Sequence, residues 1–282
     1  MTRRFKQIDV FGAEPYTGNP VAVVVDGEGL SVAAMQEFTR WMNLSESAFL
    51  LPPTTAGADY RVRIFTPARE LSFAGHPTLG SCHAWLEAGG TPGMPGKVMQ
   101  ECEAGLVAIN RGDVLAFAAP PLVRSGAVEE GFVRQLAEVL GIERDRIVDA
   151  QWVDNGPGWV GVLLEDAAAV LAVEADFSRY TGAGPLDIGL VGPCDADSEC
   201  AFEVRALTGE GDGQYREDPV TGSLNASLAQ WLVASGRMQT PCKTSQGTVL
   251  GRQGRPHIDQ DADGNIRVGG TTLTCIDGEV EL

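Results

Sequence analysis

The chain has 282 residues, 44% hydrophobic and 21% charged, which is the balance of a globular protein with a full core and room for two modest domains. Thirty-eight acidic residues against 21 basic ones give a formal net charge of −17, which excludes non-specific nucleic-acid binding and docking on anionic membranes. Six cysteines without a CxxC pair exclude a disulfide framework. No apolar run follows the basic start Arg3-Arg4, so neither a signal peptide nor a membrane anchor is expected, and a cytoplasmic protein is predicted.

Apolar patterning predicts strands at Gln7–Phe11 and Val21–Val25, a helix at Ser31–Met42, and strands at Ala48–Leu51 and Tyr60–Phe65. A glycine- and proline-containing stretch, Gly75–Ser81, leads into a helix at Cys82–Ala88. Strands at Leu106–Asn110 and Val114–Ala118 and a helix at Glu130–Leu140 follow. Then come strands at Trp159–Leu164, Ile188–Val191 and Phe202–Leu207, and a helix at Leu224–Ser235. The tail is read as strands at Thr248–Leu250, Ile266–Val268 and Leu273–Ile276. Many short strands around one long helix per half predict an α+β fold of two similar domains, each a β-barrel-like sheet wrapped around a central helix. Ala119-Pro120-Pro121 marks the boundary, giving halves 1–119 and 120–282 and leaving open a return of the final strand to the first.

The halves share sequence. Shifted by 142 positions, Tyr60–Leu86 aligns with Phe202–Leu228 without a gap, with eight of 27 pairs identical, among them Arg63/Arg205, Pro77/Pro219, Gly80/Gly222 and Ser81/Ser223. Chance supplies roughly two. In this alignment His76 and Asp218 occupy matching places, each before a proline that opens a helix. A helix start offers unpaired N–H groups and partial positive charge, so two of them facing one cleft would hold an anion inside an acidic protein. Gly75, Gly80 and Gly222 permit close backbone approach, and Ser81 and Ser223 add hydroxyl donors.

Five segments carry a more specific signal: Gly18–Val23 (GNPVAV), Asn43–Phe49 (NLSESAF), Arg63–Pro67 (RIFTP), Phe73–Gly80 (FAGHPTLG) and Glu217–Ser223 (EDPVTGS). With the tail signals Gln246-Gly247, Gly254-Arg255-Pro256 and Val268-Gly269-Gly270, they resemble, in order, the signatures of PhzF-like isomerases of phenazine biosynthesis. The resemblance implies the diaminopimelate epimerase-like fold, with the site in the cleft between the domains, no cofactor, no metal, and a homodimer. It assigns proton transfer to Glu46, with His76 and Asp218 as catalytic partners, and substrate binding to Ser45, Gly75, Gly222 and Ser223. The substrate class it implies is a small carboxylate metabolite. Apolar neighbours Leu44, Ala48 and Phe49 suit a carboxyl group that takes a proton from one carbon and returns it to another. The distant epimerases use a cysteine at each helix start; here those places appear as His76 and Asp218, which excludes a two-thiol mechanism.

Two other functions stay open: a binding protein of the same fold that has lost catalysis, and an amino-acid racemase of the parent fold. Gly156–Gly161 spells G-x-G-x-x-G but precedes a strand, not a helix, and is rejected as a dinucleotide fingerprint. His83 is read as a packing residue of its helix, and the five tryptophans as core or interface packing.

Overall fold

The computed structural model describes residues 1–282, which divide into two units: Met1–Ala118 with Gly269–Leu282, and Ala119–Val268. The first unit contains β1 (Thr2–Val10), β2 (Asn19–Val24), α1 (Val32–Met42), β3 (Ser47–Leu51), β4 (Tyr60–Phe65), β5 (Glu70–Leu71), α2 (Gly75–Glu87), β6 (Lys97–Cys102), β7 (Gly105–Arg111) and β8 (Leu115–Ala118). The second contains β9 (Arg124–Ala127), α3 (Glu130–Leu140), β10 (Ile147–Asp154), β11 (Val160–Leu164), α4 (Ala167–Leu171), β12 (Leu186–Pro193), β13 (Phe202–Gly209), β14 (Tyr215–Asp218), α5 (Gly222–Ala234), β15 (Cys242–Gln246), β16 (His257–Gln260) and β17 (Ile266–Gly270), the last crossing the boundary. The closing strand, β18 (Thr272–Glu281), pairs antiparallel with β1 along its whole length and so belongs to the first unit.

The two units repeat one pairing scheme. In the first, β1–β2 is antiparallel, β2–β3 parallel, β3–β4 antiparallel, β4–β6 parallel and β6–β7 antiparallel. In the second, β10–β11, β11–β12, β12–β13, β13–β15 and β15–β16 follow the same alternation. A central helix lies on the inner face of each sheet: α2 packs on β1, β2, β3, β4, β6, β8 and β18, and α5 on β10, β12 and β16. Both helices are apolar or small nearly all round, the pattern of a helix with no solvent face. The outer faces are covered too, by α1 through Met35 and Phe38, and by α3 through Val133, Leu136 and Leu140. Strands covered on both faces read as continuous apolar runs, and β3 and β11 are buried at every position. The fold is of the diaminopimelate epimerase-like class, with two units built alike.

Glycine brings each central helix onto its sheet. A Cβ at Gly80 would stand 2.4 Å from Val21 Cγ1, and one at Gly189 of β12 would stand 2.3 Å from Leu224 Cδ1. Several sequence expectations are corrected. Thr248–Leu250 is a 3-10 turn, held between Gly247 and Gly251 in left-handed conformation, not a strand. Of the tryptophans expected in core or interface packing, Trp41 is 77% exposed on α1 and lies outside the core. His83 is a bridge, its ring nitrogens 2.9 and 3.0 Å from the Thr272 and Thr274 hydroxyls of β18. The Gly156 and Gly158 N–H groups donate to the Asp154 carboxylate at 2.7 and 2.8 Å, closing a turn into β11. No helix is long and apolar enough to cross a membrane.

Candidate active site

In the first unit the sequence-predicted residues Glu46 and His76 meet. Asn43 in left-handed conformation ends α1, its N–H returning to the Thr39 carbonyl, and three residues then lead to β3. Glu46 is the last of these. His76 is the second residue of α2, and its Nδ1 lies 3.4 Å from Glu46 Oε2, with both side chains largely buried. Burial drives the imidazole pKa down to about 3, against the opposing effect of a hydrogen bond to the Pro20 carbonyl. His76 is therefore neutral at physiological pH, and the contact is not an ion pair. Nε2 is buried without a hydrogen-bonding partner. The carbonyl is accordingly served by Nδ1–H, the tautomer that leaves a lone pair on Nε2. Ser45 immediately precedes Glu46, and Gly75 opens α2.

In the second unit, Gly222 and Ser223 form the start of α5 and Asp218 ends β14. Asp218 Oδ2 accepts from the Thr221 hydroxyl at 2.6 Å, and its carbonyl accepts from Gln246 Nε2 at 3.0 Å. The Gln246 side-chain carbonyl accepts from the Thr221 N–H at 3.0 Å and from Asn225 Nδ2 at 2.7 Å. The Thr244 hydroxyl donates to Asn225 Oδ1 at 2.6 Å. This lattice fixes the first turn of α5 from below. Its counterpart in the first unit is smaller: Gln100 Nε2 donates to the Thr78 hydroxyl, and its carbonyl accepts from Tyr60. Ser223 is also held from the side, with its carbonyl accepting from Asn155 at 2.8 Å and its hydroxyl 3.4 Å from Trp159 Nε1. Thr221 and Gln246 lay in segments quoted for the family resemblance without a role, and Asn225 was given none; its signal was an amide set among the apolar and small residues of the first half of α5.

Strand register corrects the repeat. Phe65 pairs with Glu70 in one hairpin, and its equivalent Leu207 pairs with Glu217 in the other, so the second hairpin is five residues longer. The offset between units is thus 142 residues through the strand and 147 through the helix. Gly75 matches Gly222 and His76 matches Ser223, whereas His76 and Asp218 do not occupy equivalent places. Thr78 and Asn225, which reach equivalent strands β6 and β15, agree with that offset. Ser81, expected at a helix start, lies in the second turn of α2 and is buried. Cys82 is also interior to α2, with burial pushing its thiol up to about 12. A thiol so reluctant to ionise is a poor base, and Cys82 stands at neither helix start.

The family model for phenazine biosynthesis-like proteins, PhzC-PhzF, matches residues 8–278. A trans-2,3-dihydro-3-hydroxyanthranilate isomerase of Pseudomonas aeruginosa is 40% identical, with 99% of each chain covered. Antisense-enhancing sequence 1 of Schizosaccharomyces pombe is 35% identical, covering 98% of this chain and 97% of that protein. A crystal structure of the PhzF-family phenazine biosynthesis protein of Bacillus anthracis superposes with a TM-score of 0.82 at 20% identity, with all of both chains covered. With its fold, its helix starts and this match along nearly its whole length, the chain belongs to the phenazine biosynthesis-like family of PhzF-like isomerases.

Proposed function

We propose that the chain isomerises a small carboxylate by moving a proton between two of its carbons, with Glu46 as general acid and base and no cofactor. The observation that carries this reading is the buried contact between Glu46 and a neutral His76 at the first turn of α2. Glu46 takes a proton from one substrate carbon and returns it to another, leaving the enzyme unchanged at the end of the cycle. His76 stands against the Glu46 carboxyl on its Nδ1 side and offers the Nε2 lone pair to a substrate N–H or O–H. Gly75, Gly222 and Ser223, at the helix starts, bind the anionic end of the substrate, with Ser45 beside Glu46. Asp218, anchored by Thr221, orients a substrate donor.

The relatives from Pseudomonas aeruginosa, Pseudomonas fluorescens and Pseudomonas chlororaphis that carry the dihydro-hydroxyanthranilate isomerase name make trans-2,3-dihydro-3-hydroxyanthranilate the first substrate to test. In D2O, NMR is expected to show product formation with solvent deuterium at the newly formed C–H bond. Turnover in Glu46→Gln is expected to fall by about 10² to 10⁴. A Glu46→Gln variant with undiminished turnover would overturn the assignment. A wild-type protein that binds the compound without exchange would favour the non-catalytic reading.

A further inference from the structure

Strand register places a second carboxyl group where Glu46 has its counterpart. Ser47 of β3 faces Phe65, and Ile188 of β12 faces Leu207; Phe65 and Leu207 are equivalent. The parallel neighbours agree, Ala22 facing Ser47 in one unit and Val160 facing Ile188 in the other. The residue before Ser47 is Glu46, and the residue before Ile188 is Asp187. Since His76 and Ser223 are also equivalent, the repeat matches Asp187 with Ser223 in position as it matches Glu46 with His76, which lie 3.4 Å apart. Asp187 shares a sheet face with Gly189, which packs under Leu224 of α5. Extending the β11–β12 register by one residue sets Asp187 level with Trp159, whose indole Nε1 lies 3.4 Å from the Ser223 hydroxyl.

We infer that Asp187 is a further substrate-contacting residue, which in its acid form donates a hydrogen bond to the anionic group bound at the first turn of α5. The inference rests on the proposal that Gly222 and Ser223 bind the substrate carboxylate. The surroundings favour the acid form. Burial, and then the negative charge of Asp154, push the Asp187 carboxyl up to about 7. The row that holds it continues through uncharged Thr208 to exposed Arg216, and Asp218 stands one row further along the same face. The first turn of α5 brings Ser223, without charge. An arriving anion adds a second negative charge, and the carboxyl then keeps or takes up a proton and donates it in a hydrogen bond. An ionised acid at that place would repel the ligand.

The test is calorimetry of 3-hydroxyanthranilate, the stable aromatic analogue of the substrate above, at pH 8 in buffers of different ionisation enthalpy. Wild-type protein is expected to take up more than half a proton per ligand bound. Asp187→Asn keeps the shape and a donor, and is expected to bind within about threefold of wild type with that uptake abolished. Ser223→Ala is expected to weaken binding at least threefold. Binding that depends on Ser223 but takes up no proton, or the same proton in Asp187→Asn, overturns the role of Asp187 alone. Binding indifferent to Ser223, or none at all, overturns both this role and the carboxylate seat on which it depends.

Discussion

The first turns of α2 and α5 occupy the same place in two copies of one architecture, yet they are built for different work. The α2 start is buried: it carries an imidazole too buried to hold a proton at neutral pH, against Glu46. The α5 start is held by amides and hydroxyls, with Thr221, Asn225, Thr244 and Gln246 satisfying one another beneath it. A duplicated fold keeps its strand pairing and helix placement because these bury the core. The residues at the helix tips can diverge because they contribute little to that burial. One tip then becomes suited to proton transfer and the other to holding charge in place.

The sharpest way to break this contrast is to remove the acid–base group. Glu46→Gln is expected to lose about 10² to 10⁴ in turnover, equivalent to about 3–5 kcal/mol of transition-state stabilisation, with its melting temperature little changed. Comparable losses of turnover and of stability in that variant would make the α2 start structural.

The two hairpins offer a second comparison. Arg205 and Glu217 are only 3% and 7% exposed, and Arg205 also donates to the Val170 and Val173 carbonyls, whereas Arg63 and Glu70 are 27% and 28% exposed. Arg205→Met leaves Glu217 buried and unpaired, and is expected to cost about 3–5 kcal/mol in denaturant unfolding. Arg63→Met is expected to cost about 1 kcal/mol or less. Equal costs would show that the hairpins are not distinguished by burial.

The polar supports rank in the same way. Asn225→Ala orphans Thr244 and part of Gln246, and is expected to destabilise by about 2 kcal/mol; Thr78→Val orphans one Gln100 N–H and is expected to cost about 1 kcal/mol.

The smallest effect is a pH slope, and its sign differs between the units. His76 has its pKa lowered to about 3, so the unfolded chain binds the extra proton between about pH 3 and 6.5, and this group's contribution to stability falls as pH falls through that window. Asp187 has its pKa raised to about 7, so the folded chain binds the extra proton from about pH 4 to 7, and its contribution falls as pH rises. Unfolding between pH 4 and 6.5 is expected to show a shallower rise of stability with pH in His76→Gln, and a steeper one in Asp187→Asn. Slopes changed in the same direction would refute one of the two assignments.

The strands and amphipathic helices were legible because burial writes a period into the sequence. Tyr60–Phe65 alternates, Glu130–Leu140 has one apolar face, and the Ser31 hydroxyl caps α1 by accepting from the Ala34 N–H. Glu46 was legible only through family resemblance, since a lone Glu has no period, whereas His76 was also marked by the internal repeat. β15 went unread because its residues, Cys242–Gln246, are mostly polar; they are buried because their partners lie on α5. The gapless repeat set His76 against Asp218 because Pro77/Pro219 and Gly80/Gly222 happen to match across hairpins of unequal length.

Sequence by itself determined most of the strands and helices and that the chain contains two related halves, because these depend on local periodicity and on the kinds of residues repeated. Tertiary structure alone decided that β18 returns to β1, that Gly75 stands for Gly222, and that Asp187 stands for Glu46. Those correspondences are carried by hydrogen-bond register between strands distant in the chain. Register is a property of paired backbones, and a five-residue difference in one hairpin erases it from any linear comparison.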